Sequence, residues 1–250
     1  MSDEIVKKLL EVLKDQQKIF GPDLFETDFP QTLNLQYSAP EEEIIPMKQT
    51  PKTEIPVEDA AFNSACTLDE LYGKIWNCLK CPLGNTRNKL VFGTGNHNAD
   101  IMVIGEGPGA DEDMQGEPFV GRAGKLLTDI LKAINFSREE VYIANIVKCR
   151  PPGNRNPLPA EMEKCFPYLK KQIDLIRPKL ILCLGLISAN AILGNKLSMG
   201  KMRGNVYEFN GIKVMVTYHP AALLRNPNWK RETWTDVQIF RKLYDELVKN

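Results

Sequence analysis

Four short runs of the chain are apolar almost without interruption: Ile101–Ile104, Val141–Val147, Leu180–Leu184 and Val214–Val216. A strand buried on one face alternates apolar and polar positions; a continuous run needs apolar cover on both faces, as in a parallel sheet. Between and after these runs, apolar residues recur at helical spacing over Gly124–Ile134, Ala160–Ile176, Ile187–Leu193 and Arg231–Val248. Strands alternating with helices predict an α/β domain with a mainly parallel sheet covered on both sides. In such sheets ligands gather at the carboxyl ends of the strands.

Upstream the pattern changes. Ile5, Val6, Leu9, Leu10, Leu13 and Ile19 mark an amphipathic helix over Ile5–Phe20, stopped by Gly21-Pro22. From there to about Ala65 the chain carries Pro30, Pro40, Pro46, Pro51 and Pro56 and the run Glu41-Glu42-Glu43, with no sustained period, which predicts a flexible linker. The expected organisation is therefore a leader over 1–65 and a globular domain over 66–250. Charge follows the same division. The net charge of zero hides a leader with 6 basic and 13 acidic residues, net −7, and a remainder with 26 basic and 19 acidic, net +7. A positive body attracts polyanions. With 43% hydrophobic residues there is ample material for a core. No apolar stretch reaches the roughly 20 residues of a membrane span, and Asp3 and Glu4 argue against a secretory signal. A cytoplasmic protein is expected, with its six cysteines kept reduced.

Four of those cysteines carry candidate chemistry. Cys78-Leu79-Lys80-Cys81 is a CxxC pair followed by Pro82; Cys149 closes the second strand and Cys165 lies on the next helix. Such a quartet suits an iron–sulfur cluster or a structural zinc, and spacing alone also allows four unrelated thiols. Cys183, inside a strand, is a core residue, and Cys66 a free thiol at the domain edge. After the first strand comes Gly105-Glu106-Gly107-Pro108-Gly109, then Glu112-Asp113 and Gly116–Gly124. This is neither a dinucleotide fingerprint nor a P-loop, and its acids disfavour phosphate. The glycines instead let a ligand approach the backbone. Asn145 sits in an otherwise apolar strand, where an amide must be satisfied. Its adjacent donor and acceptor complement the O4 and N3–H of uracil and mismatch cytosine. His219 ends the last strand, and Phe119 follows a proline in a loop.

Taken together, GEGPG at 105–109, GEPFVGRAG at 116–124, NIVKCRPPGNRNP at 145–157, EMEKC at 161–165 and HPAALLR at 219–225 resemble the family four, iron–sulfur-containing uracil-DNA glycosylases. The resemblance covers about residues 66–245. It implies a three-layer α/β/α sandwich around a four-stranded parallel sheet, here preceded by the acidic helix and linker. It also implies a structural [4Fe–4S] cluster on Cys78, Cys81, Cys149 and Cys165. Carried over residue by residue, Phe119 stacks on the flipped base, Asn145 reads its edge and His219 bonds uracil O2. Glu106 positions water or steadies the sugar cation, Glu112 walls the C5 side, and the backbone of Gly105 and Gly107 floors the pocket. Gly107 stands where family one enzymes have an aspartate, and no histidine occurs in CRPPGNRNP where a cross-linking relative has one.

The reaction so implied is hydrolysis of uracil from DNA, leaving an abasic site and initiating base excision repair. No lysine is placed for a lyase step, so a monofunctional enzyme is expected. Single- or double-stranded uracil-containing DNA is the expected partner. Leu223 or Leu224 is the expected wedge, with Arg225 on phosphate or the orphaned stack and Lys201 and Arg203 on phosphates. The leader remains open to three roles: docking on the body, binding a repair or replication protein, or self-pairing. A monomer working at the nucleoid is expected. The competing reading is a non-catalytic nucleic-acid or interaction module, disfavoured because Asn145, His219 and Glu106 are all present.

Overall fold

Side chains along each inner strand point alternately to two separate cores. Met102, Ile104, Ile181, Cys183, Val214 and Val216 enter one; Ile101, Val103, Leu180, Leu182 and Met215 enter the other. This period-two division, with both halves apolar, is why the runs read as continuous in sequence. The computed structural model describes Leu10, Leu13, Lys14 and residues 16–21, 62–194 and 196–249. Most of the expected leader helix and the linker lie outside the described residues.

The body opens with helix α1 (Leu68–Ile75). Thr67 caps it by accepting the Glu70 N–H at 3.1 Å, and Leu68, Leu71 and Ile75 are buried. Then come β1 (Thr94–Gly95), β2 (Ile101–Gly105), α2 (Ala110–Gln115), α3 (Arg122–Ala133) and β3 (Tyr142–Asn145). The second half contains α4 (Pro159–Ile176), β4 (Leu180–Leu184), α5 (Leu186–Leu193), α6 (Met199–Met202), β5 (Val206–Phe209), β6 (Ile212–Thr217), α7 (Pro220–Arg225) and α8 (Trp229–Lys249).

The sheet has six strands in the order β1-β3-β2-β4-β6-β5, where four were expected. The four expected strands form its interior, and each pairs parallel with its neighbours. The additions are short antiparallel edges: β1 on β3 and β5 on β6. Helices lie on both faces. Residues of α1, α4 and α5 fill one core; those of α3, α7 and α8 fill the other. None of the helices, as far as described, is long and apolar enough to cross a membrane.

At the expected boundary, Phe62 and Ala65 are already buried against the α1 and α4 side. Residues 16–20 are helical, and Ile19 and Phe20 join the opposite core, with the Phe20 ring 4.7 Å from Trp234. Of the three roles left open for the leader, the described end of its helix shows docking on the body.

Candidate active site

The parallel register sets Gly105 directly beside Asn145 at the carboxyl ends of β2 and β3. Two places across the sheet, Leu184 and Thr217 close β4 and β6 side by side, and Gly185 and His219 follow them. The site is built along this edge. Its central constraint is the missing side chain of Gly105: a Cβ there would stand 2.4 Å from Asn145 Oδ1 and 2.5 Å from Phe119 Cζ. Asn145 and Phe119 therefore both close on Gly105. A Cβ on Gly185 would approach that of His219 to 3.1 Å, so the end of β4 holds His219 by close contact. The Phe119 and His219 rings lie 5.5 Å apart between centroids, tilted by 30°. The structure thus brings together Gly105, Phe119, Asn145 and His219, residues drawn from four separate stretches of chain.

Phe119 is held at φ 55, in the left-handed region that a bulky residue avoids. Two features fix it there. Gly124, in the first turn of α3, would carry a Cβ 1.8 Å from the Phe119 carbonyl oxygen, so only glycine fits. On the other side, Glu112 accepts N–H bonds from Val120 and Gly121, both at 3.0 Å, and from Gly109 at 3.1 Å. Glu112, expected as a wall on the C5 side, has its carboxylate committed to the backbone of the loop that carries Phe119.

The polar groups are poised for a ligand. Asn145 is buried, and its Oδ1 has no hydrogen-bond partner. An orphaned buried acceptor costs about 1–3 kcal/mol, which a ligand N–H would offset. His219 caps α7: its Nδ1 accepts the Ala221 N–H at 3.1 Å, so the neutral ring carries its proton on Nε2. Burial, helped by the positive Arg225, lowers its pKa from 6.5 to about 4, keeping the ring neutral. Glu106, half-buried one residue past Gly105, has its carboxyl raised above the usual range by burial. Gly107 packs against Val147, whose Cγ2 would lie 2.7 Å from a Cβ.

Of the expected DNA contacts, two are corrected. Leu223 is fully buried in the core shared by α3 and α8 and is no wedge; Leu224, 39% exposed, is the one free to project. Arg203 does not face solvent as a phosphate ligand. Its guanidinium bonds Asp236 at 2.7 and 3.1 Å and Glu232 at 2.6 Å, and lies over the Tyr218 ring. Lys201 and Arg225 are exposed.

Away from this edge, Cys78, Cys81, Cys149 and Cys165 line one cavity, with Lys148 and Tyr168. All four are free thiols, and donors surround them. Arg87 Nη1 lies 3.3 Å from Cys149 Sγ, the Lys148 N–H 3.3 Å from Cys165 Sγ, and the Tyr168 hydroxyl 3.3 Å from Cys78 Sγ. Among the described residues no three His, Cys, Asp or Glu side chains are grouped so as to hold one metal ion; the thiols ring a space instead. Sequence reasoning missed Lys148. Its buried Nζ donates to the Asn145 carbonyl at 3.0 Å and to Gln172 Oε1 at 2.6 Å, tying the end of β3 to α4. A lysine between Val147 and Cys149 in a buried run was the available signal. Cys183 is a core residue and Cys66 an exposed free thiol, as expected.

Fold and site define an α/β protein whose Phe119, Asn145 and His219 meet at the carboxyl rim of a parallel sheet. Residues 92–239 match the model of the uracil DNA glycosylase superfamily. The chain is similar to the type-4 uracil-DNA glycosylase of Archaeoglobus fulgidus, 45% identical over 185 residues that cover 71% of this chain and 92% of that one. It is likewise similar to the type-4 enzyme of Saccharolobus solfataricus, at 46% identity over 72% and 86% of the two chains. The type-5 uracil-DNA glycosylase of Pyrobaculum aerophilum stands further off, at 30% identity over 62% of this chain and 83% of that one. The chain belongs to the uracil-DNA glycosylase superfamily and, within it, to the type-4 enzymes.

Proposed function

We propose that this protein excises uracil from DNA by hydrolysing its N-glycosidic bond. The observation that carries the reading is the unpaired Asn145 Oδ1 in the same pocket as a neutral, Nε2-protonated His219. Uracil N3–H satisfies the orphaned acceptor, and the Asn145 amide donates to O4. Cytosine offers an unprotonated N3 and an amino group instead, and both would clash with that arrangement. Phe119 supplies the stacking face, and the bare Gly105 leaves room for the ring.

A base within a duplex must first be extruded, at a cost of a few kcal/mol. Leu224 is the residue placed to fill the gap, with Arg225 and Lys201 on the phosphate backbone. Cleavage of C1′–N1 then sends the electron pair onto uracil, with the negative charge on O2, and leaves an oxocarbenium-like sugar. His219 Nε2–H donates where that charge develops, a role worth about 3–4 kcal/mol in comparable oxyanion sites. A neutral ring suits this task because its job is to donate a hydrogen bond. Water adds to C1′ and gives its proton to Glu106, whose raised pKa makes it a better base. Glu106 passes that proton to solvent and the released anion takes one from it, so the products are free uracil and an abasic site, the starting point for base excision repair. None of these groups is a lysine amine, consistent with a monofunctional enzyme.

The four thiols fit a [4Fe–4S] cluster. In a cluster each cysteine binds its own iron around a central body, whereas tetrahedral zinc draws four sulfurs to one centre; the likeness to the type-4 enzymes favours the first. Cys78 and Cys81 follow α1, Cys149 follows β3 and Cys165 lies on α4. When bound, the cluster supplies a structural brace across these elements. Brown colour with iron and acid-labile sulfide in the purified protein checks the assignment; zinc alone would refute it.

The decisive experiment incubates the protein with a uracil-containing oligonucleotide, followed by alkaline cleavage. Strand scission at uracil is expected, with a loss of about 100-fold or more in Asn145→Ala and in His219→Ala and no loss of iron. Near-normal activity in either variant removes the site assignment.

A further inference from the structure

We propose that Trp229 is a stacking platform for a DNA base flanking the extruded uracil. The inference rests on the excision reading and adds a subsite to it. Tyr218, the residue before His219, is sandwiched. Trp229 stacks on its ring at 4.6 Å between centroids and only 7° from parallel, and the Arg203 guanidinium lies 4.6 Å from the same ring centroid. Arg203 is itself locked by Asp236 and Glu232, so the column of Arg203, Tyr218 and Trp229 is built from a rigid base outward. With one face against Tyr218, Trp229 still has 36% of its surface exposed. Aromatic surface is left over at the end of a preorganised stack.

The surrounding charge says what completes it. Arg225, Lys230 and Arg231 lie within six residues of one another around Trp229, and none forms an ion pair among the described residues. The nearest acid in sequence, Glu232, is engaged with Arg203. Arg225 ends the short helix α7 that His219 caps, which sets this end of the basic patch beside the pocket. An aromatic face framed by free cations matches a nucleobase carried on a phosphate backbone, whereas an apolar protein surface would leave those cations unpaired. Stacking is indifferent to base identity, so the platform takes any base of the flanking strand.

The test uses the full-length, iron-loaded protein and a fluorescein-labelled single-stranded oligonucleotide carrying 2′-fluoro-2′-deoxyuridine, whose fluorine blocks formation of the sugar cation. By anisotropy, Trp229→Ala is expected to bind about tenfold more weakly, while Trp229→Phe, which keeps a ring, recovers most of the loss. Unlabelled oligonucleotide should quench the intrinsic fluorescence of the wild-type protein more than that of Trp229→Phe. The slope of affinity against salt should not change in Trp229→Ala, because no phosphate contact is removed. Binding by Trp229→Ala within twofold of wild type, equal quenching in wild type and Trp229→Phe, or a reduced salt slope would each overturn the platform. Uracil release by the wild type, measured alongside, separates the two claims. No release sinks the excision reading, and the platform with it; release with unaltered Trp229→Ala binding sinks the platform alone.

Discussion

Lowering the pH tests the histidine directly, because protonating its ring removes the Nδ1 acceptor that caps α7. With a pKa of about 4, His219 is about 90% neutral at pH 5; at the ordinary 6.5 it would be about 3% neutral. The two cases differ about 30-fold in the fraction of active enzyme. Glu106 also titrates on the acid side, and its raised pKa would mask the effect. The measurement therefore belongs in the Glu106→Gln background, which removes that carboxylate and leaves His219 and Glu112, the latter bonded to the Gly109, Val120 and Gly121 N–H groups. Single-turnover release of uracil by that variant should be nearly flat from pH 8 to 5. An inflection near 6.5 would refute the buried neutral ring. Folding must be followed in parallel, and the sign is fixed. Between pH 6.5 and 4 the unfolded chain binds a proton at this histidine and the native protein does not. Stability from this group is therefore complete above 6.5 and falls as pH drops towards 4, by up to about 3 kcal/mol. At pH 5 a large part of that is already lost, so circular dichroism must show the variant still folded where the rate is read.

Four further outcomes follow from packing. Leu223→Ala should lower stability by about 2–5 kcal/mol in urea unfolding, as for any fully buried leucine. Leu224→Ala should leave stability within about 0.5 kcal/mol and slow excision from duplex more than from single-stranded DNA; the reverse pattern would reinstate Leu223 as the wedge. Arg203→Ala strands the buried Asp236 carboxylate, with only the Thr217 hydroxyl at 2.7 Å left to bond it. A loss of about 3–5 kcal/mol is expected in thermal or urea unfolding, and an unchanged melting temperature would restore Arg203 as a surface phosphate ligand. Gly105→Ala drives a methyl into Asn145 Oδ1 and Phe119. Excision should fall about 100-fold while the iron content holds, and an active alanine variant would show that the pocket does not close on this residue.

The inner sheet was legible because burial on both faces leaves only one kind of sequence, and the four runs have no polar alternation to hide in. The edges escaped for the opposite reason. Strand β5 is half exposed, and β1 is two residues long. A hairpin signal was nonetheless present in Asn210-Gly211, both at positive φ between β5 and β6. Asn145 and His219 stood out as polar residues where the pattern called for none, and such local conflicts tend to mark sites. What sequence could not separate was Leu223 from Leu224. Both look apolar in a loop until the segment is known to be helix α7, where neighbours point about 100° apart and only one can face the core. Arg203 was less accessible still. Its partners Glu232 and Asp236 lie 29 and 33 residues downstream, and a lone arginine in Gly-Lys-Met-Arg-Gly reads the same whether it grips phosphate or a buried carboxylate. Only the fold, by folding α8 back across β6, decides that its charge is spent inside the protein.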